Sequence, residues 1–150
     1  MRSRQSARQR NRMRIVIDTN VVASAVFFGG RPGELLELVL HRRVEAVATD
    51  RILAEYQATI DYLLKRYGGE HLRISAMPIF AAMEVIPQTD GIKVCRDPDD
   101  DKFISCAVDG KCIYIVSGDK DLLSLGRHEN VEIVTVAQFL DRFSASNLSS

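Results

Sequence analysis

The sequence predicts an α/β fold: a central parallel sheet with helices on both faces. Three observations carry this. Short β-branched runs alternate with helical patterns over almost the whole length, the order of elements that builds a parallel sheet. A chain of 150 residues suits one domain with one core. A composition of 46% hydrophobic and 27% charged residues is that of an ordinary globular protein.

Taken in order, "RIVID" (Arg14–Asp18) reads as a buried parallel strand. "TNVVASAVFF" follows as a helix, which "GGRPG" (Gly29–Gly33) breaks. "GELLELVLHRR" places apolar residues at 35, 36, 39 and 40, one face of a helix. "VEAVAT" (Val44–Thr49) alternates as a second strand. Asp50 is the expected N-cap of "RILAEYQATIDYLLKRY", whose Ile52, Tyr56, Ile60 and Leu63 share a face. Gly68 and Gly69 stop that helix. "HLRISAMPIFAAM" reads as a further helix with Pro78 disturbing its middle, and "EVIP" as a short strand. "KFISCAVDG" is then a helix ending near Gly110, "CIYIVS" (Cys112–Ser117) a strand, and "GDKDLLSL" a turn into a short helix. "VEIVT" is the last strand and "VAQFLDRF" the last helix. One domain is expected over residues 13–143, between a basic tail at 1–12 and a frayed C-terminus at 144–150.

The net charge of zero hides an asymmetry. Arg2, Arg4, Arg8, Arg10, Arg12 and Arg14 fall in the first 14 residues with no acid among them, so the remaining body is acidic. The tail has no hydrophobic periodicity and is expected to be disordered. It reads as a solvated extension, or as sequence ahead of an alternative start at Met13. No apolar run approaches the ~18 residues of a membrane span, and no apolar stretch follows the basic N-terminus as in a secretory signal. Cys95, Cys106 and Cys112 are odd in number and form no C-x-x-C pair, which argues against a disulfide framework or a structural zinc site. The expected compartment is the cytoplasm.

Chemistry concentrates in acids. "RDPDDDKFISC" holds Asp97, Asp99, Asp100 and Asp101 within five positions. Ligands of parallel α/β sheets bind at the carboxyl ends of strands. Asp18 directly follows the first strand, and Asp119 lies two residues past "CIYIVS". Asp100 and Asp101 open the helix leading into that strand, and Glu55 lies early in the helix after "VEAVAT". Capping alone would account for Asp50, Asp99 and Asp119. It accounts less well for Glu55, which is past the capping position, and for Asp18, at the expected edge. Converging acids with no basic partner must take up protons or cations. His41, His71 and His128 join them in no motif. An oxygen-only set favours Mg²⁺ or Mn²⁺, and the chemistry that matches is phosphodiester hydrolysis.

"IVIDTNVVASAVF", "ILAEY", "DPDDDKFISCA" and "IVSGDKDLL" occur in the order and approximate spacing of the PIN domain family. The sequence most resembles its bacterial toxin branch, the VapC-like ribonucleases, from Met13 to about Phe143. The resemblance implies a Rossmann-like sheet and a metal-dependent ribonuclease using Mg²⁺ or Mn²⁺. It implies a quartet of Asp18, Glu55, Asp100 and Asp119. Asp100 is preferred because Phe103 and Ala107 then fall at the family's apolar positions, with Asp101 as the competing choice. The aspartates would hold the principal ion, and Glu55 would complete the site. Thr19, Asn20 and Ser117 match the supporting polar residues, although Ser117 could cap a turn and Asn20 a helix. Asp121 and Asp101 would stand behind the ligands or in solvent, and Asp97 and Asp99 would shape the turn. The implied products carry a 3′-hydroxyl and a 5′-phosphate. RNA, an antitoxin protein and a second copy of the chain are the implied partners.

Arg51, Lys102, Lys120 and Arg31 flank the acids and are candidate phosphate contacts. A haloacid-dehalogenase-like phosphatase would want an aspartate where Asn20 stands, and a response-regulator receiver would want paired acids near strand one. A non-catalytic RNA-binding or protein-interaction module on the same fold is the alternative from another functional class.

Overall fold

The computed structural model describes residues 12–70 and 72–148. The basic tail, apart from Arg12, and His71 therefore lie outside the described residues.

Six strands form one sheet: β1 (Arg14–Ile17), β2 (Glu45–Ala48), β3 (Glu84–Val85), β4 (Tyr114–Val116), β5 (Arg127–His128) and β6 (Val131–Val134). Their order is β3-β2-β1-β4-β6-β5. All pairings are parallel except that of β5 with β6. The helices are α1 (Thr19–Phe28), α2 (Gly30–Leu40), α3 (Asp50–Tyr67), α4 (Ala76–Ala82), α5 (Asp101–Asp109), α6 (Lys120–Leu125) and α7 (Val136–Leu148). A 3₁₀ turn over Pro98–Asp100 leads into α5. The predicted α/β architecture is the one observed.

β1 lies at the centre because its residues tolerate burial on both faces: Ile15, Val16 and Ile17 are fully enclosed. At its amino end, Arg14 pairs with Glu45 at 3.0 Å and Glu84 at 2.8 Å, and donates to the Gly110 carbonyl at 2.8 Å. That clamp ties three strands together at the edge opposite Asp18. From β1 the chain steps outward to β2 and β3, then returns to β4 through α5. Right-handed crossovers place helices from these two directions of travel on opposite faces. Accordingly α5 packs across β1, β2, β4 and β6, while α1 packs on α2 and α3. Strand order reverses between β1 and β4, so the crevice at their carboxyl ends is the topological switch point.

Several boundaries differ from the sequence reading. The "GGRPG" break shrinks to Gly29, whose φ of 70° turns the chain before α2 begins at Gly30. Pro32 sits in the first turn, where its missing N–H has no partner to lose. The N-cap of α3 is Thr49 rather than Asp50, its hydroxyl accepting the Ile52 N–H at 3.2 Å. Pro78 does not interrupt a long helix, because α4 starts only at Ala76 and Pro78 again falls in a first turn. The two-residue strand β5 carries too short a pattern to be read, and Gly126 at φ 76° precedes it. The last helix runs past Phe143 to Leu148, since extending a helix already anchored by buried Phe139 and Leu140 is easy. Among the described residues, no helix is long and apolar enough to cross a membrane.

Candidate active site

Asp18 emerges from the carboxyl end of β1, and the pairing of β1 with β4 buries it: it is 6% exposed. Its backbone N–H continues the ladder to the Val116 carbonyl at 2.9 Å. Although Asp18 occupies the N-cap position of α1, its side chain makes no capping hydrogen bond. The carboxylate instead accepts from the Ser117 hydroxyl at 2.6 Å. Burial pushes the Asp18 carboxyl above its ordinary value, and the nearby Asp119 adds to this. The Ser117 hydroxyl and the facing N–H groups of Asn20 and Thr19 offset part of the shift.

Ser117 is fully enclosed at the end of β4 and serves two neighbours. While donating to Asp18, its oxygen accepts the Asp119 N–H at 3.0 Å. Asp119 caps α6 by accepting the Leu122 N–H at 3.3 Å. It is thus a helix cap, and it still acts electrostatically on Asp18 and Asp100. Asn20 is exposed and lines the cleft beside these acids.

The acidic turn divides its work among its members. Asp97 accepts the Asp99 N–H at 3.0 Å and shapes the 3₁₀ turn. Asp100 stands at the N-cap position of α5 without spending its carboxylate on capping. Partial burial first, then Asp18 and Asp119, push its pKa up to about 6, with Lys102 acting in the opposite direction. Asp101 accepts the N–H groups of Cys95 at 2.8 Å and Val94 at 3.1 Å. Against a desolvation effect of opposite sign, those bonds hold its pKa below the usual value. So Asp100 faces the other acids and Asp101 fastens the preceding loop. Asp121 is exposed and 3.5 Å from Arg96.

Glu55 is held on both oxygens. Thr19 donates its hydroxyl to Oε2, and Lys102 Nζ sits 2.7 Å from Oε1. Lys102 also reaches the Asp99 carboxylate at 2.8 Å and the Asp99 carbonyl at 2.7 Å. The expectation that these acids lack a basic partner is therefore corrected. Lys102 is also no exposed phosphate contact: its side chain is 3% exposed and all its partners are internal. Every residue of "KFISCA" is buried in α5, and a lysine in that setting needs a carboxylate partner. Sequence reading also assigned Tyr56 only to an apolar face. Its hydroxyl donates at 2.6 Å to the carbonyl of Ile17, the residue before Asp18.

Beside Asp119 opens a cleft of about 740 Å³, lined by Arg31, Lys120, Asn20, Ser24 and Thr135 among others. Lys120 is exposed there, and Arg31 lies 3.7 Å from Asp141 at the surface. Arg51, by contrast, lines a second hollow of about 460 Å³ past Lys102 and lies 3.4 Å from Asp90.

The family model for the PIN domain matches residues 14–121, which span β1 through the start of α6 and include all four predicted acids. The chain belongs to the PIN domain family. It is 35% identical over 146 residues to the uncharacterized protein MJ1680 of Methanocaldococcus jannaschii, an alignment covering 88% of this chain and 92% of that one. Its fold is similar to the crystal structure of PAE2754 from Pyrobaculum aerophilum, with a TM-score of 0.58 and 12% identity over 89% of this chain and 90% of that one. PIN domains are generally nucleases, and PIN nucleases typically use divalent metals.

The PIN acids fit such an ion by chemistry: carboxylate oxygens alone, mutually repelling, with no thiol or imidazole among them. Among the described residues, no three His, Cys, Asp or Glu side chains close on one point at ligand distance.

Proposed function

We propose that this PIN protein is a Mg²⁺- or Mn²⁺-dependent endoribonuclease acting at Asp18, Asp100 and Asp119, with Glu55 beside them. The observation that carries this is Asp100. It is left uncapped at the helix start, and partial burial, then the two aspartates that follow β1 and β4, push its carboxyl up. A divalent cation would offset the repulsion among these three carboxylates. When bound, a hard divalent ion polarises the scissile phosphate and makes a nucleophile available at neutral pH.

The chain's own residues do the rest. Asp18, Asp119 and Asp100 would hold the ion, directly or through water, with Ser117 fixing the Asp18 carboxylate. Lys120 and Arg31 would take backbone phosphates along the cleft beside Asp119. Hydrolysis would leave a 3′-hydroxyl and a 5′-phosphate. We further propose that the protein is the toxin of a toxin–antitoxin pair in the cytoplasm, with an antitoxin covering the acidic cleft. A second copy of the chain is a further proposed partner: Phe28 and Met77, 78% and 68% exposed, supply apolar surface for it.

The test is cleavage of end-labelled RNA by wild type and Asp18→Asn, with Mn²⁺, with Mg²⁺ and with chelator. Metal-dependent cleavage lost in Asp18→Asn supports the reading. Equal cleavage by both proteins removes Asp18 from the mechanism, and absence of metal-dependent cleavage and binding points to a non-catalytic RNA-binding or interaction module. Co-purification of the neighbouring gene's product tests the antitoxin, and light scattering tests the dimer.

A further inference from the structure

The best-defined polar cluster at the site is one the acids do not account for by themselves. Lys102 is buried in α5, yet it meets three oxygens at 2.7–2.8 Å: Glu55 Oε1, Asp99 Oδ2 and the Asp99 carbonyl. Three acceptors satisfy the three donors of an ammonium group, so Lys102 has none left for a phosphate. Both oxygens of Glu55 are engaged as well. One oxygen is taken by Lys102 and the other by the hydroxyl of Thr19. Thr19 directly follows Asp18, and its N–H faces the Asp18 carboxylate. A chain of contacts thus runs from α5 through α3 to the first residue of α1, ending where the most buried acid sits.

We infer that Lys102 is a built-in counter-ion that removes Glu55 from ion binding, so that Glu55 and Lys102 position Asp18 while Asp18, Asp100 and Asp119 alone face the ion. This rests on the reading of the site as a divalent-ion centre. A hydrogen-bonded internal lysine beside a cation site opposes the cation, because like charges repel through a poorly screening interior. Its presence is explained if its task is to hold Glu55, and through Thr19 the start of α1, in a single arrangement. Glu55 and Lys102 are then positioning residues, and the sign of their effects on ion affinity differs from that of a ligand.

The experiment titrates Mn²⁺ into the full chain, by calorimetry and by the electron paramagnetic resonance signal of the free ion, for wild type, Asp100→Asn, Glu55→Gln, Lys102→Met and Glu55→Gln/Lys102→Met. RNA cleavage and circular-dichroism melts are run alongside. Asp100→Asn should weaken Mn²⁺ binding by about tenfold or more, as loss of a group acting on the ion does. Glu55→Gln should weaken it much less than Asp100→Asn while cleavage falls. Lys102→Met should tighten Mn²⁺ binding, since it frees the Glu55 carboxylate and deletes a positive charge, and cleavage should again fall. The double variant should lose that tightening. Loss of Mn²⁺ affinity in Glu55→Gln equal to that in Asp100→Asn would overturn the inference alone, as would weaker binding in a folded Lys102→Met. Should Lys102→Met not fold, the Glu55→Gln comparison decides. Wild type that binds no Mn²⁺ and cleaves no RNA would overturn the ion-centre reading and this inference with it.

Discussion

The Ser117 hydroxyl lies 2.6 Å from the Asp18 carboxylate, and it joins the carboxyl ends of the two strands that meet at the switch point. Because the same oxygen receives the Asp119 N–H, one small side chain sets the spacing of two acids. Ser117→Ala should remove the donor and leave Asp18 buried with less support, costing about 1–2 kcal/mol. Cleavage should drop by about 10–100-fold, the range for groups that orient those holding an ion. Urea unfolding of metal-free protein and RNA cleavage rates measure the two effects. Loss of stability with unchanged cleavage would make Ser117 a turn cap only.

Asp100 and Asp101 are adjacent but face different tasks, and paired substitutions separate them. Asp100→Asn should abolish metal-dependent cleavage with the fold intact. Asp101→Asn should leave cleavage near wild type while loosening residues 94 and 95, whose N–H groups it anchors. Amide hydrogen exchange at Val94 and Cys95 reports the second effect. The reverse pattern, with cleavage lost only in Asp101→Asn, would move the functional acid one residue along.

That register shows how far the sequence reached. That Asp18, Asp100 and Asp119 come to one edge was legible because an acid at the end of a β-branched run, or at the start of the next helix, is a local pattern. Phe103 and Ala107 are both buried, but so is every residue from Lys102 to Ala107, so burial in α5 does not by itself set the register. Lys102 was not legible, because its partnership with Glu55 depends on how α3 and α5 meet, and spacing along the chain carries no trace of it. Thr49 and Asp50 are both good caps, and the chain uses the Thr49 hydroxyl, which accepts the Ile52 N–H. β5 was missed because two residues cannot show an alternation.

Tyr56 offers a test away from the acids. Its hydroxyl donates to the last carbonyl of β1 at 2.6 Å, fully buried, and burial keeps the phenol protonated by raising its pKa well above the usual value. Tyr56→Phe keeps the ring and its stacking on Phe80 but removes the donor at the residue before Asp18. The expected cost is about 1–2 kcal/mol, read by urea unfolding, with a fall in cleavage as the Asp18 backbone loses its tether. Full stability in Tyr56→Phe would show that water or another donor replaces the hydroxyl.

The acids should also make the metal-free fold sensitive to pH in an unusual direction. The carboxyls of Asp100, pushed up to about 6, and of Asp18 bind their protons more tightly in the folded chain than in the unfolded one. Their stabilising contribution is therefore complete below the ordinary carboxylate range and is lost as pH rises, for Asp100 through about 6. Asp101 works the other way, losing its contribution as pH falls, but it is only partly buried and its share is small. With chelator present, Asp100→Asn should be more stable than wild type at pH 7. The gain should be roughly 1 kcal/mol once the full shift is discounted for the half-open setting of the carboxylate. It should vanish near pH 4, where wild-type Asp100 is itself protonated. Adding Mn²⁺ at pH 7 should raise the melting temperature of wild type more than that of Asp100→Asn, because an ion that binds only the folded chain stabilises it by mass action. Melts of both proteins at pH 4 and pH 7, with chelator and with Mn²⁺, supply the comparison. An Asp100→Asn protein no more stable than wild type at pH 7 without metal would show that Asp100 does not share its space with Asp18 and Asp119.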